Sequence, residues 1–413
     1  DQFSFYKLNA DLNNQAISIE NIALQDSQLA LEMKSSTKKE TIKNKAQADE
    51  QAFSWPEWKV DVDKIELENN KINIFQNGQQ PTKGQFSTEA IALRSFNFNL
   101  ENLELSKNEQ LGFDLNKFQF KDESGLQLKQ FAVNTQLDQN GIALNDIRLK
   151  VNNSLMFADL KLDYNTLQNF IDSPDKANFD FSIQEFQIDV ADAYLFSPEL
   201  KQNPNFKKLA KHKFAGDLQL MGNLDKLQVP KFDLNWGNNT SLTLNGNLSQ
   251  VSDVDKLGVH LKNYAFTTSK VDISKFIQED SLGISMPKSL VLKGKFKKNA
   301  DTFSTQSQLQ TPQGIIDVEG NFSNTNTLEY GLNLDVKSLQ LGDILQNRDI
   351  GQLSMTVDSK GEGNSIYDLT AEFSSTIDSI RYADYTFSKM ELNGEIKKGK
   401  GDLKFDYDDD HLK

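Results

Sequence analysis

Alternation of apolar and polar side chains at every second position, sustained through most of 413 residues, is the strongest constraint on this chain. In GDLQLMGNLDKLQVPKFDLNWGNNTSLTLNGNL, residues 216–248, Leu218 and Leu220 alternate with polar neighbours. Phe232, Leu234 and Trp236 follow, then Leu242 and Leu244. Short breaks of Gly, Asn, Asp and Pro separate the runs. Successive strand side chains point to opposite faces, so each run builds a ribbon with one apolar and one wet face.

The same pattern fills the first half. Ile17 and Ile19 are followed by Ile22 and Leu24, then Leu29 and Leu31. Phe96, Phe98 and Leu100 precede Leu103 and Leu105; Phe113 and Leu115 precede Phe118 and Phe120; Leu126 and Leu128 precede Phe131 and Val133. Runs last about four to eight residues, and neighbouring runs differ by one step in phase, as a tight turn or a bulge requires. Near 25 short strands are expected at about one per ten residues.

KSLVLKGKFKK, residues 288–298, shows how the two faces are used. Leu290, Leu292 and Phe296 point one way; Lys293, Lys295 and Lys297 point the other, beside Val291. A lysine row under a second sheet is prohibitively costly without partners. Sheets covered on both faces read as continuous apolar runs, so a one-sided, mostly antiparallel arrangement is expected.

Three departures punctuate the strands. Residues 35–51, SSTKKETIKNKAQADEQ, are polar and charged, which fits an exposed insertion. Residues 191–213 read as short helices, with Ser197 as N-cap, Pro198 at the first position, and Phe206, Leu209 and Ala210 on one face. Helical turns are also expected near 165–171, 274–279 and 342–346. The organisation is therefore a first run of strands over 1–190, a helical insertion over 191–213, and a second run over 214–413.

Catalytic chemistry is not apparent. His212, His260 and His411 stand apart without metal-motif spacing, so no metal and no cofactor is expected. Gly361-Glu-Gly363 and Gly399-Lys-Gly401 lack the strand–turn–helix context of a phosphate loop, and no Ser sits in a Gly-x-Ser-x-Gly elbow. Asp408, Asp409 and Asp410 lack the rest of a calcium loop. Lys207, Lys208, Lys211 and Lys213 read as a wet helix face, with an anionic head group as the sharper reading. A net charge of −14 argues against nucleic-acid binding. With no cysteine there is no disulfide frame, and the count does not decide between reducing and oxidising compartments. No run approaches the roughly 18 residues of a membrane span, and no signal peptide opens the chain. Its start at Asp1-Gln2-Phe3 and its stop within an apparent strand read as a fragment of something longer.

The second half carries a succession of turn and strand signatures: Pro287 and Leu290 to Gly294, then LQTPQGIIDVEGNF at 309–322, Tyr330, LQLGDILQNRDIGQL at 339–353, Gly361 to Gly363, and YTFSKMELNGEIKKGKG at 385–401. Over about 214–413 this resembles the AsmA-like proteins of the Gram-negative envelope, and within them the TamB group. The resemblance implies a mainly β fold: a long, curved, mostly antiparallel sheet forming an elongated half-pipe, the β-taco, with an apolar groove and a few short helices. It implies a periplasmic location, an inner-membrane anchor outside this segment, and transfer of phospholipids between the two membranes. It also implies an outer-membrane barrel partner in protein assembly.

The expected groove lining is Leu218, Leu220, Leu242, Leu244, Leu290, Leu292 and Phe296, then Ile316, Val318, Phe322, Leu353, Met355 and Val357, with Phe206 and Leu209 as a cover. Inward residues of a sealed β core look the same in sequence. Three functions are weighed: a non-enzymatic lipid conduit, a scaffold that pairs client strands at a sheet edge, and a surface-binding module or β-helical carbohydrate-active enzyme. The last needs stricter repeats or a carboxylate cluster.

Overall fold

A computed structural model describes residues 2–34, 54–279, 283–365, 367–398 and 400–407. The polar stretch 35–51 lies outside the described residues, as do Gly399, Asp408, Asp409, Asp410 and His411. Packing divides the chain into a first unit, Asp1–Asn223, and a second, Leu224–Lys413.

The first unit is a sheet of β1 (Gln2–Asp11), β2 (Ala16–Gln25), β3 (Gln28–Met33), β4 (Lys59–Gln76), β5 (Ala90–Ser106), β6 (Gln110–Asp122), β7 (Gln127–Asp138), β8 (Gly141–Val151), β9 (Ser154–Asp163), β10 (Asn178–Asp189) and β11 (Lys213–Asn223). From β4 to β11 each strand pairs antiparallel with the next. β1 pairs antiparallel with β2, while β2 and β3 lie end to end along one edge of β4, both parallel to it. β11 stays with this unit through its ladder to β10, where Ile183 faces Leu218 and Phe181 faces Leu220.

The strands are fewer and longer than the apolar runs suggest: 22 among the described residues, up to 18 residues long. The reason is visible in β5. The runs Phe96–Phe98–Leu100 and Leu103–Leu105 belong to one strand, joined where the register shifts between Glu101 and Glu104. Asn102 takes a left-handed φ of 55° there, and Ser95 does so at 48° before the first run. The extra residue restores the apolar side chains to one face, which is what a bulge does. Leu100, Leu115, Val133, Ile147 and Ala158 form the core on that face. The Phe118 ring packs edge-on against Phe96 and Phe98 at 5.7 and 6.1 Å.

The helical elements are short. Leu167–Asp172 is capped by the Thr166 hydroxyl, which accepts from the Asn169 amide. The insertion before β11 holds 3-10 turns at Val190–Leu195 and Pro198–Gln202 and a helix at Pro204–Leu209. Pro198 opens its turn as expected, but the Ser197 side chain makes no capping bond; Asn203 does, to the Asn205 and Phe206 amides. In the second unit, turns of helix occupy Lys270–Ile273 and Leu341–Leu345.

The second unit is an antiparallel meander: β12 (Lys226–Trp236), β13 (Thr240–Ser249), β14 (Gly258–Ser269), β15 (Ser289–Lys298), β16 (Thr302–Thr311), β17 (Gly314–Ser323), β18 (Glu329–Gln340), β19 (Ile350–Glu362), β20 (Thr370–Tyr382), β21 (Tyr385–Lys397) and β22 (Lys400–Tyr407). Each pairs with its successor. The fold is thus mainly β, mostly antiparallel and open: in neither unit does the last strand return to pair with the first among the described residues.

One polar knot anchors the meander's start. The buried Asp272 carboxylate accepts the Asn238 and Asn239 amides, the Thr240 hydroxyl and the Lys275 ammonium at 2.7–3.2 Å. Gly237, at φ 69°, leaves the space that this carboxylate fills. Burial favours the neutral acid, but the Lys275 ammonium, the two amides and the hydroxyl outweigh it and hold the carboxyl far below its usual range.

Buried apolar side chains are few: the first unit gathers one small core on one face of its sheet. Among the described residues the largest fully buried side chains are Asp272 and Ser124. A two-layer sandwich would bury leucines and phenylalanines there instead.

Candidate functional site

The feature that the fold builds most consistently is an apolar face, and cross-strand pairing fixes its membership, since paired residues share a face. In the second unit one row runs through Leu234, Leu242, Phe266, Leu292, Leu309 and Ile316. It continues through Val336, Met355, Ile377, Met390 and Tyr407, so all eleven strands contribute and no charge interrupts it. At about 4.8 Å per strand the row spans on the order of 50 Å.

The residues singled out from sequence fall on this face. Leu242, Leu292, Ile316 and Met355 stand in the row itself. Leu244, Val318 and Val357 stand in the adjacent row, with Phe232, Leu334 and Leu392. Phe296 follows one step out between Leu261 and Thr305, and Phe322 follows between Phe303 and Tyr330. Leu290 faces Thr268, and Leu353 lies between Leu339 and Ile380 on the other flank. All of these residues are half-buried. Leu218 and Leu220 occupy the corresponding face of the first unit and are half-buried too. Phe206 and Leu209 also belong to the first unit; the Phe206 ring lies 5.5 Å from Tyr194.

Sequence reasoning passed over Leu309, Leu334, Ile377 and Met390. Leu309 hides in STQSQLQT, where polar residues fill both faces; the signal was its pairing with Leu292 and Ile316, which the sequence does not print.

The face is not uniformly greasy. Tyr264, Gly294 and Ser307 are consecutive partners, and the Tyr264 hydroxyl reaches across Gly294 to Ser307 Oγ at 2.6 Å. Ser307 is 2.6 Å from Thr305 Oγ1, which donates to the Lys295 carbonyl. The only assignment that satisfies all three bonds runs Tyr264 to Ser307 to Thr305 to the carbonyl, so every hydroxyl proton is used within the sheet. Phe303 and Phe322 stack at 5.1 Å on the next row.

The opposite face is wet. Lys293, Lys295 and Lys297 are exposed, as the alternation requires. Farther along, Lys337 bridges Asp317 and Asp335 at 2.8 and 3.0 Å. Hydrogen bonds from Lys337 and from the Gln308 amide hold the Asp317 carboxyl below its usual range, and the Asp317 bond raises Lys337 in return. Recesses of about 880, 540 and 430 Å³ open between the polar rows, and the first also includes Leu261, Phe296, Leu332 and Phe373 from the strand positions between them.

The remaining candidates do not converge. His212 is half-buried and His260 exposed; among the described residues no three acidic or histidine side chains are placed to hold a metal. Lys207, Lys211 and Lys213 are exposed, and Lys213 donates to the Asn153 carbonyl at 2.8 Å. No described helix is long and apolar enough to cross a membrane. Comparison of the chain with protein-family models, curated proteins and solved structures finds no match.

Proposed function

We propose that this chain is a non-enzymatic lipid carrier whose apolar face shields the acyl chains of phospholipids. The observation that carries this reading is the apolar row across all eleven strands of the second unit, half-buried at every member but the buried Val336. An uncovered apolar strip of that length is a liability unless it has a ligand. An acyl chain of about fifteen methylenes costs on the order of 12 kcal/mol to expose to water, at about 0.8 each, so a carrier must cover it throughout. A strip needs no convergent polar chemistry for that task. The likeness of residues 214–413 to the AsmA-like and TamB proteins supports placing the chain in the periplasm, between an anchored inner membrane and an outer-membrane barrel partner.

The test is native mass spectrometry with lipid extraction on the chain purified from a Gram-negative host without added detergent. Met355→Asp and Leu244→Asp run beside it, with folding checked by circular dichroism. Phospholipids on the wild type and fewer on the folded variants support the reading; a lipid-free, well-folded wild type overturns it.

A second reading, an assembly scaffold, has one observation of its own. β3 pairs only with β4 among the described residues, and its other edge is flanked by Leu29 and Leu31, 60% and 50% exposed. Its sequence, QLALEM, has no Lys or Pro to block an added strand. Ala30→Pro would abolish client-strand capture under this reading and leave lipid content unchanged under the first.

A further inference from the structure

Several lysines of the second unit are held in ion pairs: Lys231 with Asp233, Lys337 with Asp317 and Asp335, Lys360 with Glu372, Lys397 with Glu395, and Lys404 with Asp406. The three outward lysines of β15 are not. Lys293, Lys295 and Lys297 make no ion pair or hydrogen bond among the described residues. Their neighbours explain why: Gln308, Gln306 and Ser304 face them from β16, and Ala265 and His260 face Lys293 and Lys297 from β14. Lys295 sits opposite the bulge that contains Lys262 and Asn263. In a chain of net charge −14, these three adjacent cations have no carboxylate on either flanking strand; the first ones in line with them are Asp317, whose carboxyl Lys293 helps to lower, and Glu319, both on β17.

These lysines also stand where the polar-side recesses meet. Lys295 lines the recesses of about 880 and 540 Å³, Lys293 lines those of about 540 and 430 Å³, and Gln306 lines all three. The largest runs across the strands from His260 on β14 to Asn393 on β21. Two rows of side chains wall it, one through Lys295, Gln306, Glu319 and Asn333, the other through Lys297, Ser304 and Asn321. Rows two residues apart on a strand are about 7 Å apart, too close for a helix about 10 Å across. A planar membrane would meet rims rather than the floor of such a recess. The floor's backbone is already spent in the ladder, so an occupant gains nothing by being an extended peptide. What the walls offer is amide, hydroxyl and carboxylate groups for hydroxyls, and at one end three lysines without a contact ion pair for an oxyanion.

We propose that the β15 lysine row and the recess it opens into form a binding site for a linear glycan bearing acidic groups, with an acid on Lys293, Lys295 and Lys297 and sugar hydroxyls along β16 to β21. This site lies on the polar face and does not depend on what the apolar face carries.

Binding of the chain to polygalacturonate is measured by calorimetry at low salt, with neutral dextran and phosphatidylglycerol vesicles as the other probes. The triple variant Lys293→Ser, Lys295→Ser, Lys297→Ser is expected to bind polygalacturonate at least tenfold more weakly. A control triple, Lys256→Ser, Lys397→Ser, Lys404→Ser, removes the same charge from paired positions outside the recesses and is expected to change binding less than twofold. Equal weakening in both triples would reduce the effect to net charge and overturn the proposal. So would equal binding of dextran, or a loss in the β15 variant seen for vesicles and not for polygalacturonate. Because the three lysines are exposed, both triples keep the fold, which circular dichroism verifies.

Discussion

The two units build an apolar face from the same alternation and finish it differently. The first unit's ladders from β4 to β8 each carry two or three register shifts, and its face gathers into a core where Leu100, Leu115 and Ala158 are 9%, 8% and 2% exposed. The ladders from β15 to β18 in the second unit carry none, and there Leu292, Ile316 and Val318 stay half-buried, with Val336 the buried exception at 5%. Bulges bend and twist strands, so they bring one face inward; a ladder without them leaves its side chains in regular rows. Bulges therefore accompany the gathering of the first unit's core, while the shift-free ladders keep most of their apolar side chains in half-buried rows.

The sharpest way to break that comparison is a matched pair of truncations. Leu115→Ala is expected to cost about 3 kcal/mol, because it opens a cavity in the core. Leu292→Ala is expected to cost about 1 kcal/mol, because a half-open site loses less burial. Urea denaturation measures both, and equal costs would mean that the second face is as sealed as the first.

Next in size is Asp272→Asn, which leaves two turn amides, a hydroxyl and Lys275 short of a full carboxylate and should cost about 2 kcal/mol. The folded-state pKa of Asp272 is depressed, so its contribution is present above the unfolded value, about 3.9, and is lost as pH falls through that range. Trp236 is buried beside Phe276 in the second unit. Its fluorescence should therefore show acid unfolding below about pH 4 that the Asn variant flattens.

A smaller effect is expected at Gly394, where the Phe373 ring lies over the glycine where a Cβ would stand. Gly394→Val should cost about 1.5 kcal/mol by displacing that ring; no loss in thermal stability would show that the ring is free to move. Smallest is Ser95→Gly, which relieves a left-handed backbone in β5 and should stabilise the chain by about 0.5 kcal/mol. A loss instead would show that the Ser95 side chain, not its backbone, shapes the bulge.

The faces were legible because a two-residue period assigns a side without knowing the partner strand. Leu292 and Met355 could be placed together while four strands apart in order, since each alternates with polar neighbours in its own run. The bulges were half legible: the change of phase at Leu100 to Leu103 was plain, but Ser95 and Lys389 adopt left-handed backbone without being glycine, so nothing marked the shift as internal to one strand. Asp272 gave no signal, because its partners Asn238 and Asn239 lie more than thirty residues away. Short helices were placed to within a few residues; the turn expected at 274–279 begins at Lys270, where no capping side chain announces it.

β2 and β3 share the edge of β4 in one frame. Every pair along that edge is 43 residues apart in sequence, from Ala16 with Lys59 to Met33 with Gln76. The offset survives a matched kink, at Asp26 on one side and Asn69 on the other, each at φ 50°. Asn70 stitches the kink, accepting the Ser27 amide and donating to the Leu24 carbonyl at 2.9 Å. The segment between the two arms can therefore change length without disturbing either, whereas deleting a single residue from one arm would slip the strand on one side of the kink. Either Ile17, Ile19, Ile22 and Leu24 or Leu29 and Leu31 would then change face, which makes this edge tolerant of grafts between its arms and intolerant of any frame change within them.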